Sequence, residues 1–286
     1  MRVSKKWLAS IKEVELTTKH NPVLGILRLD YNYPAAPGDI DHPGSFNYEV
    51  CYRVIPGLTF EMCQTGALTD EVKSQCIDAV RFLESQNVCG ITGDCGFMVN
   101  IQELVKENTN LPVFLSCLIQ LPSIVLSLNF DEEIAIFTAN SDALEPIEEE
   151  LDRVCNLPAH DHRLKIVGCQ DVPGFEAVAE GKRVDVEKVE PGIIDLTNKF
   201  LEKNPNVGCI LLECTELPAY ANALRDSTGL PVYDAISNCD AFMSGFFEDK
   251  RFGRHGWQAT WDGKQSDYHF GDNLSTEQKA ALKNKE

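Results

Sequence analysis

Two cysteines stand where apolar runs end and helical patterns begin. Cys95 lies in "GITGDCGFM" (90–98) and Cys214 in "ILLECTELPAY" (210–220). A buried structural thiol has no reason to choose such a junction. A thiol placed there meets the unpaired N–H groups and the dipole of a helix start, which favour anions, lower a thiol's pKa and can hold a carboxylate. Each cysteine alone is a weak signal that a buried structural thiol would also give; the matched pair is what points to chemistry. A thiolate on one side of a bound carboxylic acid can remove an α-proton, and a thiol opposite can return one, which is cofactor-free racemisation. If the β-carbon carries a good leaving group, the carbanion expels it instead, which is β-elimination. Both reactions remove a proton next to a carboxylate. The site must therefore crowd hydrogen-bond donors around that carboxylate and exclude water.

Such a pair needs two scaffolds that end at one place. Short apolar runs alternate with helical patterns along the chain. Strands are predicted over 23–31, 50–58, 88–95, 112–120, 133–140, 163–171, 207–214 and 230–236. Helices are predicted over 69–86 (with Thr69 as N-cap), 99–108, 141–155, 195–205, 215–228 and 237–249. Strands buried on both faces and alternating with helices give a parallel sheet covered on both sides. The series repeats, so the predicted fold is α/β with two pseudo-symmetric lobes, each a parallel sheet flanked by helices. The ligand lies in the cleft between them, outside the carboxyl ends of the strands. The first lobe is expected to hold 20–112 plus 230–286 and the second 113–229. Residues 31–49 form a long Pro/Gly/aromatic loop, either functional or a surface insertion or oligomer contact. Residues 253–286 lack apolar periodicity until a last weak helix, and are expected to pack loosely or against a neighbouring subunit.

Composition narrows the function. The net charge of −18 over 286 residues argues against nucleic acid and anionic membranes. No run of eighteen apolar residues and no signal-peptide pattern is present, so the chain is expected in the cytoplasm, or in an organelle if a targeting segment has been removed, and not secreted. None of the eleven cysteines forms a C-x-x-C pair, and an odd number suits no disulfide scaffold. Gly90, Gly93 and Gly96 give G-x-x-G-x-x-G, not a dinucleotide turn, and no lysine follows a glycine loop, so neither NAD nor a nucleoside triphosphate is expected. "HDH" (160–162) lacks the spacing of a ligand set and reads as a solvated loop; His42 and His255 have no visible partner. No cofactor and no metal are expected. Asn140 ends the strand "EIAIFTAN" where a site-facing polar group belongs; Gln120 is a weaker candidate of the same kind.

"GITGDCGF" and "ILLECTELPAYANALRDSTGLPVYDAI" resemble the two cysteine motifs of the aspartate/glutamate racemase superfamily over most of residues 23–249. Asn-Thr commonly follows the first cysteine of the amino-acid racemases; here Gly96 and Phe97 follow, which speaks against an amino-acid substrate. "GILRLDYNYPAAPGDIDHPGSFNYEVCYRVIPGLTFEMCQTG" (25–66) resembles the N-terminal stretch of the algal Alma-type dimethylsulfoniopropionate lyases. That resemblance implies cleavage of dimethylsulfoniopropionate to dimethyl sulfide and acrylate. One thiolate would be the base. Cys214 has the closer motif, and the other cysteine would orient substrate, tune the base or relay the proton; the reverse assignment stays open. The resemblance also implies that Thr92, Gly93, Asp94, Gly96 and Thr215 surround the substrate carboxylate. The sulfonium would meet an aromatic face (Tyr31, Tyr33 or Phe97) or a carboxylate (Asp30, Asp94 or Glu216). Relatives of this kind are commonly dimers or larger, so a homo-oligomer, dimer or tetramer, is expected. The competing readings are a two-cysteine racemase or isomerase of a small acid, and a non-catalytic small-molecule binding protein on the same scaffold.

Overall fold

The computed structural model describes residues 21–144, 147–158, 161–247 and Thr276. The expectations for 253–286 and His255 lie outside the described residues, as does His160. Among the described residues seven strands form two parallel sheets: β1 (Val23–Arg28), β2 (Glu49–Val54) and β3 (Gly90–Gly93) in the first, and β4 (Glu133–Thr138), β5 (Leu164–Gly168), β6 (Val207–Leu212) and β7 (Val232–Tyr233) in the second. β1, β4 and β6 are buried on both faces, as their unbroken apolar runs require.

The first sheet runs β2-β1-β3. A short extended segment joins beyond β3, where Val113 bridges to Ile91 in parallel. The second runs β5-β4-β6-β7. In chain order both sheets therefore read second, first, third, fourth strand, so the two lobes repeat one topology. The lobe limits differ from those expected. Val113 belongs with the first sheet, because its neighbours exchange hydrogen bonds with Ile91 (Ile91 N–H to Pro112 O 2.9 Å, Phe114 N–H to Ile91 O 2.9 Å). β7, expected in the first lobe, pairs with the open edge of β6.

The helices are α1 (Phe60–Thr65), α2 (Asp70–Ser85), α3 (Gln102–Glu107), α4 (Leu121–Ser127), α5 (Ser141–Leu144), α6 (Glu148–Cys155), α7 (Val186–Lys203), α8 (Ala221–Thr228) and α9 (Ala235–Met243). α2 starts as predicted: the Thr69 hydroxyl accepts from Val72 N–H, and Val72, Cys76, Ala79, Val80 and Leu83 are its buried stripe. α7 begins at Val186 rather than at 195 and carries Pro191 within it. The helices expected over 99–108 and 215–228 each open with a 3-10 turn, Gly96–Ile101 and Leu217–Tyr220.

The loop over 31–49 is packed down rather than standing off as an insertion. Ile40 is buried, its N–H donates to Thr215 O at 3.3 Å, and Tyr52 Oη donates to Ile40 O at 2.9 Å. Gly38 permits this seating. It has φ +101°, and an added Cβ would lie 2.6 Å from Ala219 Cα. Gly38→Ala is therefore expected to destabilise the fold by about 2 kcal/mol, read by thermal unfolding; an unchanged Tm would show that the loop is not held there.

Candidate active site

The repeated topology puts the two cysteines in equivalent positions. The third strand of each sheet ends, one acidic residue follows, and then comes the thiol: β3, Asp94, Cys95 and β6, Glu213, Cys214. The two strand exits are tied together. Thr215 Oγ1 donates to the Asp94 carbonyl at 2.6 Å, and Cys117 Sγ donates to Leu212 O at 3.2 Å. Both cysteines line a single cavity of about 400 Å³.

The thiols are not placed as a helix start would place them. A 3-10 turn follows each one, and the α-helices begin later, at Gln102 and Ala221. The expectation of lowered thiol pKa values is overturned. Burial pushes both well above the ordinary thiol value. The charges of Cys63, Glu213, Asp94 and Glu216 add to this at Cys95, and those of Glu216 and Glu213 at Cys214. Cys214 has a local acceptor: its Sγ donates to Glu216 Oε2 at 2.7 Å. Burial raises the Glu216 carboxyl above its usual range, and the hydrogen bond from Cys214 opposes that rise. The backbone N–H groups of Cys95, Cys214 and Thr215 donate to no acceptor among the described residues.

Of the predicted site residues, Gly96, Phe97, Asn140, Thr215 and Glu216 line the cavity with the two cysteines. Tyr31, Tyr33, Thr92, Gly93 and Asp94 do not, and each is held by another contact. Tyr31 Oη donates to Val178 O at 2.6 Å, with its ring edge-on to Phe60. Tyr33 Oη donates to Asp39 at 2.7 Å. Thr92 Oγ1 donates to Phe114 O at 2.8 Å. Gly93 leaves room for Leu115 O, 2.8 Å from where a Cβ would stand. The Asp94 carboxylate accepts the Leu29 N–H at 3.0 and 3.1 Å, and burial holds its pKa far up. Asp30 accepts from Gly57 N–H on the surface, and Gln120 donates to Asp234 O.

Sequence reasoning missed Phe60, Gln64, Gln170 and Phe175 in the cavity wall, since nothing in their spacing marks them. It also passed over Glu213, whose signal was present: a charged residue closing the run "VGCILLE", in a strand otherwise buried on both faces. Burial drives the Glu213 carboxyl up to about 7, with Glu216 adding and Thr138 opposing.

No family model matches the chain. Dimethylsulfoniopropionate lyase 7 of Emiliania huxleyi (strain CCMP1516) is 50% identical over 278 residues, which are 96% of this chain and 82% of that protein. A dimethylsulfoniopropionate lyase of Durusdinium sp. clade D is 44% identical over 257 residues, 90% of this chain and 85% of its own. Among solved structures, unliganded arylmalonate decarboxylase superposes with TM-score 0.51 at 19% identity, covering 82% of this chain and 97% of that one, a likeness of fold. No helix among the described residues is long and apolar enough to cross a membrane.

Proposed function

The chain belongs to the dimethylsulfoniopropionate lyase family, and from that premise we propose that it cleaves dimethylsulfoniopropionate to dimethyl sulfide and acrylate, without a cofactor, by thiolate-initiated β-elimination. The observation that carries this reading is the pair of cysteines at equivalent strand exits lining one cavity, one of them bonded to a carboxylate. Cys214 is the base. Glu216 accepts the thiol proton, and the thiolate then takes the α-proton of the substrate. The C–H electron pair becomes the new C=C bond, the C–S bond breaks, and its pair leaves on sulfur as neutral dimethyl sulfide. The proton is released to solvent through Glu216. The free N–H groups of Cys95, Cys214 and Thr215 hold the substrate carboxylate, where negative charge accumulates as the α-proton departs. Cys95, whose thiol burial pushes well up, stays neutral and donates to that same carboxylate.

The direct test is headspace detection of dimethyl sulfide, with matching acrylate, from the purified protein and dimethylsulfoniopropionate. No product sinks the reading. A racemase would instead exchange the α-hydrogen of unconsumed acid with solvent deuterium and release nothing volatile.

The pH profile carries a sign. Glu216 can take the thiol proton only while it is ionised, and burial raises its carboxyl above the usual range. kcat/KM is therefore expected to rise with pH as Glu216 loses its proton and then to level off. A profile that falls as carboxylates ionise would remove the Cys214–Glu216 pair from the role of base.

A further inference from the structure

One acidic group of the cavity wall is left unused by the elimination chemistry. Glu213 is 1% exposed, lines the cavity with both cysteines, and makes no well-formed hydrogen bond at either carboxylate oxygen among the described residues, with the equally unpartnered Thr138 hydroxyl acting on it only weakly as a donor. Glu216, by contrast, is engaged by Cys214, and Glu176 lies at the exposed rim accepting the Gly174 N–H. A buried carboxylate so poorly partnered is costly to keep. Its space is nonetheless cleared for it: a Cβ at Gly96 would come within 2.5 Å of the Glu213 carboxyl carbon. No lysine, arginine or histidine lines the cavity among the described residues, whereas the rings of Phe60, Phe97 and Phe175 do. A carboxylate, aromatic faces and no resident cation together make a seat for an incoming positive charge.

We propose that Glu213 is the residue that sets specificity for the sulfonium: its carboxylate holds the cationic end of the substrate and disfavours an uncharged molecule of the same shape. This rests on the lyase reading of the same cavity for the identity of the cation. The carboxyl, raised to about 7, is drawn into its ionised form by a cation beside it. Once the C–S bond breaks the sulfur is neutral, the attraction is gone, and the sulfide is free to leave.

The test uses two carboxylates of matched shape on the full chain, 3-(trimethylammonio)propionate, whose amine is a far poorer leaving group than a sulfide and whose stability over the titration is checked by acrylate assay, and 4,4-dimethylpentanoate, which has no leaving group, with Kd read by calorimetry. The wild type is expected to prefer the cation by at least about tenfold, and Glu213→Gln to bring the two within about twofold of each other. Glu213→Asp keeps part of the preference, and Glu176→Gln keeps all of it. In turnover, Glu213→Gln raises KM more than it lowers kcat, because the contact is made in the ground state and lost with the charge. A wild type without the preference overturns the proposal, and needs no variant to fold. So does a folded Glu213→Gln protein with the wild-type ratio. Charge preference without dimethyl sulfide release would retire the lyase reading and keep Glu213 as the cation seat; release without preference would do the reverse.

Discussion

Cys214→Ala is expected to lower kcat/KM for dimethylsulfoniopropionate by at least about a thousandfold while leaving a folded protein, because it removes the proposed base outright. The thiol makes the shortest of the hydrogen bonds to Glu216 among the described residues, 2.7 Å against 3.5 Å from the Thr215 hydroxyl, and its loop carries two of the N–H groups assigned to the substrate carboxylate, those of Cys214 and Thr215. Losing the sulfur removes the proton acceptor and leaves its surroundings in place. Cys214→Ser sharpens the test. A hydroxyl keeps the contact to Glu216, but its far higher pKa makes it a poor base, so it is expected to fare little better than alanine. Cys95→Ala, which takes away a donor rather than the base, is expected to cost about ten- to a hundredfold. Initial rates of dimethyl sulfide release, alongside thermal unfolding, measure all three. If Cys95→Ala proves the more severe lesion, the roles of the two sulfurs are exchanged. If Cys214→Ala stays within about tenfold of wild type, that residue is not the base.

The second large effect is expected at Gly96. An added methyl group would stand 2.5 Å from the Glu213 carboxyl carbon and 2.5 Å from the Glu213 backbone oxygen. A side chain can turn away; the backbone oxygen at the exit of β6 cannot, because the Glu213 N–H is bonded to Phe137 O at 2.7 Å. Gly96→Ala is therefore expected to destabilise the fold by about 2–4 kcal/mol, a fall in Tm of about 5–10 °C. It should also lower turnover at least about a hundredfold by pushing the two strand exits apart. Combining it with Glu213→Ala relieves the side-chain clash only and is expected to restore part of the stability. Wild-type Tm in the single variant would mean that the exits of β3 and β6 do not meet as described.

How much of this was legible beforehand follows from the physics of each element. β1, β4 and β6 could be read because strands buried on both faces leave unbroken apolar runs, and α2 because a hydroxyl cap precedes a clean helical stripe. The first part of α7 could not. Pro191 reads as a breaker, since it lacks an N–H and its ring crowds the carbonyl four residues back, yet it sits on the exposed side within the helix. The cysteine positions were legible as strand exits, but their ionisation was not. It depends on burial and on carboxylates brought in from the other sheet, as Glu213 and Glu216 are to Cys95. Tyr31 and Tyr33 show the same limit from the other side. Their residue types suit a sulfonium, but the Tyr31 hydroxyl instead fastens the loop to Val178, and the Tyr33 hydroxyl binds Asp39 within the loop.

The shared strand order of the two sheets bears on how such a cavity could arise. Two copies of a chain half this length, associated about a dyad, would already bring an acid–cysteine pair from each partner to a common gap. Fusing the copies frees them from having to match. One acid, Asp94, caps the Leu29 amide, while its counterpart Glu213 lines the gap. Two carboxylates that a symmetric pair of copies would be obliged to use alike thus stand in different roles within one chain.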